Sequence, residues 1–70
     1  MTTIVSNMTG TVLEVHVHPG ETVQEGQDII TLEAMKMQMG VPATAAGRVT
    51  EVRVAAGAFV SEGDPLVILE

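Results

Sequence analysis

Along residues 14–18 apolar and polar side chains alternate, with Val15 and Val17 set between Glu14, His16 and His18. The same rhythm returns along residues 51–55, where Val52 and Val54 sit between Glu51, Arg53 and Ala55. A period of two puts each kind of residue on its own face of an extended chain, so both stretches predict half-buried strands. No window sustains a helical period. Val12 and Val15 are three positions apart, as are Val49 and Val52, and this break in alternation predicts a β-bulge after the glycine that opens each segment. "HPGE" with "EGQD", and "AAGA" with "EGDP", carry the residues that turns require.

These parallels belong to an internal repeat. Residues 10–33 align with residues 47–70 at a constant offset of 37 without a gap, and eleven of the 24 pairs are identical. Gly10/Gly47, Gly20/Gly57 and Gly26/Gly63 are among them, together with Val12/Val49, Val23/Val60, Leu32/Leu69 and Glu33/Glu70. Ile29/Leu66 and Ile30/Val67 add conservative matches, and the offset extends back to pair Ile4 with Val41. The chain thus reads as two halves, 4–33 and 41–70, within a single domain spanning 1–70.

Each half predicts about four short strands, and one half alone leaves its apolar side uncovered. The fold expected is all-β: a flattened antiparallel barrel or sandwich of two four-stranded sheets, with the halves packed face to face about a pseudo-twofold axis. An operation that carries residue 33 to 70 also carries 41 to 4. Glu33 and Val41 are close because a hairpin joins them, so Glu70 and Ile4 should be neighbours, at the end of the molecule away from that hairpin.

Composition removes several classes of function. A chain of 70 residues buries only about 60% of its unfolded surface and has little room for a deep catalytic cleft. There is no cysteine, hence no disulfide framework and no thiolate metal site. The N-terminal "MTTIVSN" lacks a basic region followed by an apolar run, and no stretch approaches a membrane span, so a cytoplasmic protein without membrane insertion is expected. A formal charge of −6, with only Lys36, Arg48 and Arg53 positive and Phe59 the sole aromatic, argues against nucleic acid as a partner.

His16 and His18 would project from one strand face as a pair of metal ligands could, yet no third ligand is near and an exposed polar face explains them. Glu14, Glu25, Glu51, Glu62 and Asp64 lie on turns and strand exteriors, where they are solvated and could steer docking on basic partner surfaces. No nucleophile–base pair and no metal site is expected.

What the repeat leaves over is "AMKMQMG", residues 34–40, and it contains the only lysine of the chain. Strand-like "ITLEA" before it and "MQMGV" after it leave Met35 and Lys36 as the central residues of a two-residue hairpin, which demands positive φ of both. On the period-two spacing of Met35, Met37 and Met39, Met39 is expected to pack against the core. Met35 and Met37 flank the tip.

With Glu33, Ala34, Met35, Lys36 and Met37 placed between two similar halves, the chain resembles the biotinyl/lipoyl attachment domain family, and more closely its biotin carboxyl carrier branch. The likeness covers nearly the whole chain. It implies biotin joined covalently to Lys36, with Glu33, Ala34, Met35 and Met37 forming the motif a biotin protein ligase recognises. It further implies a non-catalytic carrier that shuttles a carboxyl group between a biotin carboxylase and a carboxyltransferase. Methionine on both sides of the lysine argues for biotin over lipoate. The chain departs from the family pattern at "SNMTG", residues 6–10, at Ala43-Thr44, at Gln38 and at Gly40, and it has no inserted thumb loop.

The chemistry suits the residue. Amide formation with an activated carboxylate needs an amine, and lysine sets one at the end of four methylenes. A lysine amine in water is almost wholly protonated at neutral pH, so the modifying ligase must supply the base. A tether then replaces free diffusion with a high local concentration. A lipoyl carrier and an unmodified interaction module remain the alternative readings.

Overall fold

The computed structural model describes residues 2–70. Eight strands follow in order: β1 Thr2–Val5, β2 Gly10–Val15, β3 Thr22–Val23, β4 Asp28–Ala34, β5 Met37–Pro42, β6 Gly47–Val52, β7 Phe59–Val60 and β8 Pro65–Leu69. They build two four-stranded antiparallel sheets ordered β1-β8-β6-β3 and β5-β4-β2-β7. The expected all-β sandwich is the fold observed, and none of the described residues is helical.

The offset of 37 governs the backbone in detail. A register shift between Val12 and Glu14 in β2 recurs between Val49 and Glu51 in β6, where the broken alternation predicts bulges. Positive φ falls on Gly20 (96°) and Gly57 (93°), and on Gly26 (88°) and Gly63 (90°). In the first of these turns Pro19 precedes Gly20, and the Glu21 N–H donates to the His18 carbonyl at 3.1 Å. Proline then positive-φ glycine is what a type II turn requires.

Glycine serves a different purpose at the head of each half. A Cβ on Gly10 would stand 2.5 Å from the Glu33 carbonyl oxygen, and one on Gly47 would stand 2.9 Å from that of Glu70. Both glycines therefore let neighbouring backbone approach more closely than any side chain permits.

The sheets do not coincide with the halves. Each has a central pair of strands from one half and both edges from the other: β4 and β2 are flanked by β5 and β7, and β8 and β6 by β1 and β3. The packing expected between two whole halves is thus realised with exchanged edges. Ile4 lies opposite Val67 and Thr2 opposite Leu69, so β1 runs beside the strand that leads to Glu70, with Ile4 three residues short of it.

One hydrophobic cluster fills the space between the sheets, and six twofold-related pairs supply most of it: Ile4/Val41, Val12/Val49, Val23/Val60, Ile29/Leu66, Ile30/Val67 and Leu32/Leu69. At about 25 cal/mol per Å² of apolar surface buried, these aliphatic side chains are the main source of stability. Ala43 is also buried, and its twofold counterpart is Ser6, the one buried polar residue among those described, whose hydroxyl donates to the Met8 carbonyl. Burial there leaves no polar atom unsatisfied among the described residues.

The His18–Glu21 turn gives a pH-dependent prediction. The His18 ring, 2.9 Å from Glu21 Oε1, and secondarily the His18 backbone N–H, hold the Glu21 carboxyl below its ordinary value of 4.5. Because the folded pKa is the lower one, this contact stabilises the fold above pH 4.5 and is lost as pH falls through the lowered value. Glu21→Gln should therefore melt slightly below the wild type at neutral pH, with the two midpoints converging as the pH falls from 4.5 through the lowered value. Thermal midpoints across that range test it, and a gap that widens on acidification would contradict it.

Candidate functional site

Antiparallel β4 and β5 run in register from Leu32–Met39 through Glu33–Gln38 to Ala34–Met37, and the chain reverses over Met35 and Lys36 alone. Both have positive φ, 52° and 65°, the left-handed pair that a type I′ turn demands. Asn-Gly is the usual occupant, because a Cβ in this region costs on the order of 1–3 kcal/mol per residue. The turn is therefore strained, and the closed ladder on each side holds it.

That geometry lifts the lysine clear of the protein. Lys36 is exposed, and among the described residues it makes no ion pair. Met35 is 95% exposed and Met37 62%, so the apolar side chains beside the amine face water as well. Exposed methionine costs hydrophobic free energy that folding does not recover, and two such residues flanking one amine form a surface suited to contact with another molecule. Ala34 is half-buried and Glu33 exposed.

Met39 departs from expectation. It lies opposite Leu32 on the inward face of β5, yet it is 36% exposed and stands outside the buried cluster. Periodicity assigned its face correctly, but β5 is an edge strand, and Met39 there is partly exposed although Leu32, its neighbour on the central strand β4, is buried.

His16 and His18 are engaged separately. His16 Nε2 is 2.7 Å from the Thr31 hydroxyl, and His18 Nδ1 is 2.9 Å from Glu21. Among the described residues no three of His, Cys, Asp and Glu gather in a geometry fit for a metal. Glu51 lies 3.4 Å from Arg53, Asp64 accepts the Ser61 N–H at 2.8 Å, and Glu14, Glu25 and Glu62 are exposed. No helix among the described residues is long and apolar enough to cross a membrane.

The turn's strain can be relieved. Met35→Asn, in a left-handed position that asparagine tolerates, should raise stability by about 1 kcal/mol, or the thermal midpoint by about 4–8 °C. An unchanged or lower midpoint would show that the turn is not strained.

Comparison with known proteins adds to this geometry. A family model described as "Biotin-requiring enzyme" matches residues 2–69. The chain is 49% identical over 68 residues to the mitochondrial propionyl-CoA carboxylase alpha chain of Mus musculus, covering 97% of this chain and 9% of that one. It is 51% identical over 47 residues to the biotin carboxyl carrier protein of acetyl-CoA carboxylase of Solanum lycopersicum, 67% of each. Among solved structures, the urea carboxylase of Kluyveromyces lactis superposes with a TM-score of 0.90 at 30% identity, over 99% of this chain and 6% of that one. The chain thus spans about a tenth of the length of the large carboxylases that it matches.

Proposed function

We propose, from the premise that this chain belongs to the family of biotin-requiring enzymes, that residues 1–70 act as a single biotinyl domain and that Lys36 is the residue to which biotin is joined. The observation that carries this reading is the position of the only lysine, at the tip of a strained hairpin with no ion pair to its amine among the described residues. An acyl group attached there meets no obstruction from the strands below. Biotin, rather than lipoate, is favoured by the relatives, which are biotin carboxyl carrier proteins and carboxylase chains.

The residues divide the work as follows. Lys36 provides the nucleophile, whose proton the biotin protein ligase must remove before the new amide forms. Met35 and Met37 present apolar contacts on either side of it, and Ala34 and Glu33 continue the recognition motif along β4. Once bound, biotin supplies a ureido nitrogen able to carry a carboxyl group. The hairpin holds the base of that arm at one place, so that a biotin carboxylase and a carboxyltransferase can each be reached by swinging about the lysine stem.

In this reading catalysis is left to those partners, and the domain's own task is to present the arm. The working location of this reading is the cytoplasm, in keeping with an acidic chain free of cysteine. Intact mass after incubation with biotin ligase, ATP and biotin tests the assignment. A gain of one biotinyl group is expected, and a chain that stays unmodified where an established carrier is labelled overturns it.

A further inference from the structure

The twofold repeat supplies an internal control for the outer faces of the two sheets. On one, Phe59 of β7 lies opposite Thr11 of β2, and Thr11 opposite Glu33 of β4. This row ends beside the hairpin of Lys36. Its counterpart on the other sheet consists of Thr22, opposite Arg48, followed by Glu70.

The backbone is the same in both rows, but the side chains are not. Arg48 forms an ion pair with Glu70, whereas Thr11 leaves Glu33 with no cation among the described residues. Thr22 shows that the fold accepts a small polar residue where Phe59 stands. Phe59 is nonetheless 69% exposed, and it is the only aromatic residue of the chain. Folding therefore does not account for it. The strands of this sheet also carry Glu14 and Asp28 and no basic residue, while Arg48 is on the other sheet.

We propose that the row Phe59–Thr11–Glu33 is the docking surface for the carboxylase partner that loads the arm, and that the partner meets it with an arginine. Strands are spaced by about 4.8 Å, so the Phe59 and Glu33 backbones are about 10 Å apart. A guanidinium lying over the Phe59 ring can extend its fork to the Glu33 carboxylate, combining a cation–π contact with a charge-assisted hydrogen bond. An enzyme that binds ATP and bicarbonate collects basic residues around its active-site mouth, which complements this acidic face. The proposal rests on the biotin-carrier reading.

Two variants copy the control row into the active one: Phe59→Thr and Thr11→Arg, the second giving Glu33 an internal partner. Both are biotinylated to completion before use, so a change in ligation does not enter. With an isolated biotin carboxylase, MgATP and bicarbonate, each should raise the KM for carrier about tenfold and leave kcat at saturating carrier unchanged. In titrations of the unbiotinylated, isotope-labelled wild type with the same enzyme, the amides of residues 11, 33 and 59 should broaden, and should not in the variants. An unchanged KM, a fall in kcat alone, or a rise confined to the KM of the ligase would overturn the proposal. Failure of the wild type to accept biotin is read separately, by its mass, and would overturn the carrier assignment instead.

Discussion

Lys36→Arg is expected to fold as the wild type does and to accept no biotin at all. Arginine keeps the charge and reach of lysine, and at an exposed hairpin tip the exchange should shift stability by no more than about 0.5 kcal/mol. The left-handed φ of 65° is equally unfavourable for both residues, so it does not distinguish them. What changes is the nucleophile: a guanidinium is protonated at any relevant pH and cannot serve as an acyl acceptor. The sequence holds no second lysine to take over. Intact mass after incubation with ligase, ATP and biotin, together with a thermal melt, reads both halves of the expectation. Residual labelling would place attachment elsewhere, and a midpoint loss of many degrees would make Lys36 structural.

Gly10→Ala should produce the largest loss of stability among the changes considered. The added methyl would stand 2.5 Å from the Glu33 carbonyl oxygen and 3.4 Å from the Ala34 Cβ, so backbone must yield. Such overpacking typically costs about 1–3 kcal/mol, a substantial share of what a domain of this size possesses. The displaced residues lead directly into the turn at Met35, so ligation should slow along with the fall in midpoint. Gly47→Ala is the matched control. Its new Cβ would meet the Glu70 carbonyl oxygen at 2.9 Å, and the loss should be smaller with ligation unaffected. Equal losses in the two variants, or an undisturbed ligation rate in Gly10→Ala, would refute the coupling between this glycine and the hairpin.

Much of this architecture was legible in the residues. Period-two alternation, the bulge after Val12 and again after Val49, and glycine at 20, 26, 57 and 63 each encode a local backbone state, and local states are what a sequence specifies directly. The tip at Met35 and Lys36 was legible for the same reason: strand signals on both sides leave only two residues to turn. Of the pairings across the halves, β4–β5 and its counterpart β1–β8 follow from the hairpin and the repeat, but β2–β7 and β3–β6 were not legible. Alternation tells which face of a strand is apolar but not which strand lies beside it, and β3 and β7, at two residues each, are too short to show a period. In the sequence Phe59 stands out only as a lone aromatic. Its meaning comes from knowing that Thr11 and Glu33 are its neighbours in space, and that Thr22 occupies the equivalent place.

The exchanged edge strands bear on ancestry. A polypeptide equivalent to one half, existing by itself, would have a two-stranded centre and two unsatisfied edges, and a second copy related by a twofold axis would complete both sheets with those same edges. Such a homodimer would be a mutual strand swap, obligate from the outset, since neither subunit could close its core alone. Fusing two of its genes head to tail would give the present topology without moving a strand, and the short join between them would be β4–β5. On this account the lysine stands on the fusion joint. That joint is also the stretch without a counterpart elsewhere in the chain, since the repeat pairs residues 4–33 with 41–70 and leaves 34–40 over.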